Sequence, residues 1–154
     1  MLTIGTAQEL RDAGLEWTPA TLDFFFIPLP DLENQIFVIS DMTILSEQLQ
    51  GQPALTFHGT VEWALDHVWT GEALWVPRED QLRQLIETRL ATTTGWRLAL
   101  ESSSAGYRCQ LQHGSEAETF EGHDVSECLA DALLHLMRIA PQLARQTSAV
   151  ADPP

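Results

Sequence analysis

The chain has 154 residues, 44% of them hydrophobic, and sets 22 acidic side chains against eight basic ones, all arginine, for a formal charge of −14 at pH 7. Without lysine it offers no lysine Schiff base and no P-loop lysine for a phosphate, and its scattered arginines leave no basic stripe for nucleic acid or anionic lipid. The apolar content is too high for a disordered acidic chain, and a chain of this length buries roughly 68–70% of its unfolded surface without a metal or disulfide staple.

In chain order, Thr6 and Glu9 form a capping box for a short helix with Leu10 and Ala13 on its apolar side, closed by Gly14 in the left-handed position with Leu15 packing back. Leu22–Ile27 and Ile36–Ile39 read as two strands, stopped and linked by Pro28, Pro30 and a polar turn, and the connection is too short for anything but an antiparallel pair. The second, rich in β-branched residues, is expected to be buried on both faces. Asp41–Gln50 fits either a helix through Met42, Leu45 and Leu49 or a short strand through Met42, Thr43 and Ile44. Ala54–Phe57 is a third strand. Thr60 then caps a predicted helix whose apolar residues Val61, Ala64, Leu65 and Val68 recur at helical spacing. Ala73–Val76 is a short strand or extended link, and Pro77 occupies the first turn of a helix with Leu82, Leu85, Ile86 and Leu90 on one stripe.

Thr92-Thr93-Thr94-Gly95 marks an internal boundary. Beyond it three strands follow closely, Trp96–Glu101, Tyr107–Gln112 and Ala117–Glu121, a meander. Asp124 caps a last helix whose broad apolar face (Val125, Cys128, Leu129, Ala132, Leu133, Leu136, Met137) must cover that meander, and Pro141 ends it. The expected fold class is α+β: a mixed or antiparallel sheet with helices packed on it, ending in a three-stranded meander under a long C-terminal helix. Residues 1–91 form the first α+β unit and 95–141 a βββα unit, two lobes of one compact domain, with 142–154 a disordered tail. Whether the two units share a sheet stays open. The N-terminus has no basic n-region or long apolar run, and no stretch reaches 18 apolar residues; neither a signal peptide nor a spanning helix is expected, and the cytoplasm is the expected compartment.

Reactive constellations are sparse. His58, Glu62, Asp66 and His67 make the densest polar block, but no HExxH, HxH or CxxC spacing is present, and a solvated helix face accounts for it; no metal ligand, cofactor or catalytic residue is assigned. No G-x-S-x-G elbow occurs. Cys109 and Cys128 read as buried thiols, since Cys109 alternates onto the apolar face of its strand. The residues that stand out are Trp63, Trp69 and Trp75, with His67 beside them. Trp63 falls off the apolar stripe of its helix, and such tryptophans are either interface anchors or core under a second covering face.

From Leu10 to Leu90 the chain resembles a family of small uncharacterised bacterial and phage proteins. The shared elements are Leu10–Trp17 with Pro19, Phe37–Met42, Phe57–Asp66 and Ala73–Leu82. Some members carry the label pilus assembly protein, and the resemblance brings no catalytic residues. Residues 96–140 look like a phage-type βββα sandwich unit, and size, acidity and α+β order resemble the secretion-chaperone type of fold.

The function these readings imply is a non-enzymatic protein-interaction module, a homodimer with an acidic surface and an aromatic-bearing binding face. Its partner would be a protein of basic or mixed surface or a second copy of itself, and neither a nucleic acid held by a basic patch nor a membrane. Two readings stand beside it. One is an acidic secretion-chaperone-like protein or nucleic-acid mimic. The other is a small metal-dependent hydrolase gathering Asp41, His58, Glu62, Asp66 or His67 in one pocket.

Overall fold

The computed structural model describes residues 1–32, 35–40, 43–58 and 66–149. Along these run α1 (Ile4–Asp12), β1 (Phe24–Phe26), β2 (Ile36–Val38), β3 (Ile44–Leu49), β4 (Gln52–Phe57), β5 (His67–Trp69), β6 (Leu74–Val76), α2 (Glu79–Leu90), β7 (Arg97–Ser103), β8 (Gly106–His113), β9 (Glu116–Gly122) and α3 (Val125–Ala149). The strands form three separate antiparallel sheets, ordered β2-β1-β6, β3-β4-β5 and β7-β8-β9, so the fold is α+β and the meander extends neither of the other sheets.

Helix α1 begins one turn earlier than its capping box predicts. Thr3 is the cap, its Oγ1 accepting the Thr6 N–H at 3.2 Å. Glu127, from the far end of the chain, accepts the Thr3 N–H and the Thr6 hydroxyl, each at 2.6 Å. A carboxylate brought in by tertiary packing therefore satisfies the helix end that Glu9 was expected to serve. The other end closes as its sequence predicts: Gly14 has φ +95°, and the Gly14 and Leu15 N–H groups bond back to the Arg11 and Leu10 carbonyls.

Strands β1 and β2 pair antiparallel with Phe25 opposite Phe37, as expected, but β2 is not buried on both faces, because Val38 is exposed. Asp41–Gln50 resolves toward strand over Ile44–Leu49, while Asp41 and Met42 lie outside the described residues. Gln50 (φ +52°) and Gly51 (φ +80°) make the two-residue left-handed turn that matches strand twist and locks β3 onto β4. The predicted helix from Thr60 fails in its last turn: His67–Trp69 is strand β5, with Val68 opposite Leu55 and buried. Pairing with the open edge of β4 outweighs the helical spacing of Val68, and residues 59–65 lie outside the described residues. Pro77 sits two residues before α2, whose N-cap is Arg78.

Two cores result. Phe26, Leu74 and Val76 join α1, α2, α3 and β8 in the first, which closes across the Thr92–Gly95 turn by packing Leu10, Leu82 and Ile86 with Leu111, Leu129 and Leu133. Phe25 points the other way, into a second core with Phe37, Ile39, Ile44, Leu55 and Val68. The sheet β2-β1-β6 is thus a middle layer with apolar side chains on both faces. Helix α3 covers β8 and β9 and runs to Ala149, past Pro141, where the sequence predicted its end. A proline there omits one bond of the ladder without stopping the helix. No described helix is long and apolar enough to cross a membrane.

Candidate functional site

The turn that closes α1 delivers Trp17 to the edge of the middle sheet. Asp23, only 2% exposed, holds it there. One carboxylate oxygen accepts the Trp17 indole N–H at 2.9 Å and the Ala20 N–H at 3.0 Å, and the other accepts the Gln81 amide at 2.5 Å. Arg78 stands 3.6 Å from the same carboxylate and donates to the Leu22 carbonyl at 2.6 Å. Leu22 is at φ +71°, a conformation costly for leucine, and this network on either side of it maintains it. Asp23 therefore ties the 17–23 loop to the first turn of α2, and all its contacts are structural.

So placed, the Trp17 ring lies parallel to that of Trp75, centroids 6.3 Å apart and planes 5° from parallel. Trp75 stands opposite Phe25 in the sheet register, and Phe25 in turn touches Trp17. The two indoles form a wall shared by two clefts. On one side is a mainly apolar groove of about 360 Å³, lined by Ala7, Leu15, Leu74 and Pro53, with Arg11 and Thr70 as its polar members. On the other is a polar cleft of about 300 Å³ bordered by Thr18, Asp23, Gln81, Gln84 and Thr88.

Two of the residues that line the apolar groove each carry a polar atom left over in the fold. Trp75 Nε1 and Thr70 Oγ1 are buried and have no hydrogen-bond partner among the described residues. An unmade bond on a buried donor costs about 1–3 kcal/mol, so two at one place are unusual in a folded chain. A ligand group carrying an acceptor would satisfy the indole N–H once the Trp75 ring turns to present it to the groove, and the Thr70 hydroxyl can serve as donor or acceptor.

The other predicted positions among the described residues do not join this groove. Trp69 and His67 sit together on β5, ring edge to ring face at 4.9 Å, and Trp69 is half-buried. Trp63, Glu62 and Asp41 lie outside the described residues. Asp66 is exposed. His58 meets Thr56 Oγ1 at 3.0 Å, and the Thr56 hydroxyl donates to Glu47 at 2.6 Å. This hydroxyl–imidazole–carboxylate trio was not visible in the sequence. Its order is wrong for an activated nucleophile: hydroxyl and carboxylate both approach the same imidazole nitrogen, Nε2, at 3.0 and 3.8 Å, so the carboxylate does not orient the ring from its far side. His113 and His135 are a second unpredicted pair, rings 6.2 Å apart, each with a buried Nε2 that has no hydrogen-bond partner among the described residues, His113 Nε2 standing 3.9 Å from Glu116. Two imidazoles fall short of the three ligands a metal centre needs, and among the described residues no group of three or more His, Cys, Asp or Glu is placed to hold an ion.

Cys109 and Cys128 are both free and fully buried. Burial, helped by the neighbouring Cys128, pushes the Cys109 thiol up to about 11, the reverse of what a thiolate nucleophile requires.

Compared with protein-family models, curated proteins and solved structures, the chain matches none.

Proposed function

We propose that this protein is a non-enzymatic interaction module, a homodimer that seats a segment of a partner protein in the Trp17–Trp75 groove. The observation that carries the reading is the pair of unsatisfied buried polar atoms, Trp75 Nε1 and Thr70 Oγ1, on two residues that line an aromatic-walled groove. A peptide carries what such a groove lacks: an apolar side chain to cover the indoles and a backbone carbonyl for the N–H. The net charge of −14 supports a segment flanked by basic residues, because long-range attraction raises the encounter rate of cationic partners. Arg11 at the groove adds one local cation, suited to a carbonyl or an acidic side chain of the same segment.

Selection of a random peptide library on the full chain, with counter-selection on Trp17→Ala, tests this. Enriched peptides should share one large apolar residue flanked by Lys or Arg and lose about tenfold or more in affinity on the variant. A library that yields no sequence dependent on Trp17 overturns the reading.

A further inference from the structure

The meander has two edges, and they differ. Strand β9 carries Glu116, Glu118 and Glu121 and no basic residue of its own, with Glu121 paired to Arg108 of β8 at 2.7 Å, so the edge stays net acidic and repels a second copy of itself. Strand β7 reads Arg97-Leu98-Ala99-Leu100-Glu101 and is balanced, with Glu101 standing 3.5 Å from the same Arg108. Its apolar side is also only partly covered, Leu98 packing against the first core while Leu100 is exposed. Helix α3 packs on β8 and β9, so Cys109 and Leu111 are fully buried, whereas their β7 partners across the register, Leu100 and Leu98, are 39% exposed and half-buried. Trp96, next to β7, and Tyr107 at the start of β8 extend the strip, 36% and 37% exposed. Of the seven exposed large hydrophobic residues among those described, Trp96 and Leu100 thus lie at this edge and Tyr107 stands beside it on the central strand.

The β7 sequence is complementary to itself. In an antiparallel pairing with Ala99 on a two-fold axis, Leu98 opposes Leu100 of the partner subunit and Arg97 opposes Glu101 of the partner subunit, each contact occurring twice. Residue parity is kept, so leucines meet on the partly covered face and charges on the solvent face. The other long edge does not allow this: on β3, the register that opposes Leu45 to the partner's Leu49 sets Glu47 against the partner's Glu47. Strands β2, β5 and β6 have three residues each.

We propose that β7 is the seam of an isologous dimer in which a second copy of this chain adds along Arg97–Glu101 and two meanders become one six-stranded sheet. The proposal rests on the homodimer reading above and names its surface. Sedimentation equilibrium of the full chain gives the test. Wild type should be a dimer. Arg97→Glu and Glu101→Arg each place like charges opposite each other twice and should weaken self-association about tenfold or more. Mixed together, the two variants should form a heterodimer at least about threefold tighter than either variant's homodimer, because each reversed charge then meets its opposite across the seam, while Glu101→Arg still forgoes its own-chain contact with Arg108. If a reversal unfolds the meander, Arg97→Gln and Glu101→Gln replace it and should weaken the dimer about threefold. A wild-type monomer overturns the homodimer and the seam together. A dimer indifferent to these substitutions, or variants that fail to pair on mixing, overturns the seam alone and leaves the homodimer standing.

Discussion

Thr6 in the first helix and Glu127 in the last are joined by a hydroxyl–carboxylate hydrogen bond of 2.6 Å across 121 residues of chain. The same carboxylate takes the Thr3 N–H, so one side chain of α3 closes the N-terminus of α1. Hydrogen bonds to charged groups contribute about 1.5–3 kcal/mol. Glu127→Ala should therefore lower unfolding stability by about 2 kcal/mol, and Glu127→Gln by less, because the amide oxygen still accepts one bond. Urea denaturation measures both; equal stability of Glu127→Ala and wild type would mean that the α1–α3 junction does not depend on this residue.

Asp23→Ala should be among the most damaging single changes outside the apolar core. It strips an acceptor from the Trp17 indole, the Ala20 N–H and the Gln81 amide at once, and leaves Arg78 with Asp80 as its remaining counter-ion. Breaking a buried charge–partner set costs about 3–5 kcal/mol. Any folded fraction should also show a displaced Trp17, read as a changed near-ultraviolet circular dichroism spectrum.

Alkaline pH should act through the buried thiols. Cys109 is raised from about 9 to about 11 by burial, then by Cys128, so between those values the unfolded chain has released a proton that the folded chain keeps. Stability is then complete below pH 9 and falls as pH rises toward 11, by about 2–3 kcal/mol for a shift of this size. With no lysine to titrate over the same range, the effect should be legible in urea midpoints from pH 8 to 11. Burial raises Cys128 as well, so replacing both cysteines by alanine should flatten the slope. A slope unchanged by the double substitution contradicts the assignment.

How far the sequence foretold this depended on where each signal resided. The meander was readable because the turn stretches Ser102–Gly106 and His113–Glu116 separate alternating runs, and α2 and α3 because their apolar residues recur at helical spacing. Strands β3 and β5 were hidden, since pairing with β4 decides them and Val68 fits a helical stripe equally well. The Thr6 cap was misplaced because its acceptor lies 121 positions away. Of the three interface candidates among the described residues, Trp69, Trp75 and His67, only Trp75 lines the groove. Trp17, its partner, left no sequence signal beyond following a helix stop, and Asp23, which holds it, looked like an ordinary strand residue. Contacts between distant segments make this site, and local pattern does not carry them.

Trp75→Phe isolates the groove's central feature, because it keeps an aromatic ring while deleting the unsatisfied N–H. In the unliganded protein this change should leave thermal stability equal or slightly raised, since a buried donor without a partner is removed. Calorimetric titration of a peptide selected on the wild type should then show affinity falling about tenfold, the loss expected when the acceptor in the peptide goes unpaired. Equal affinity for Trp75→Phe and wild type, with stability unchanged, would contradict the claim that this N–H waits for a partner's carbonyl.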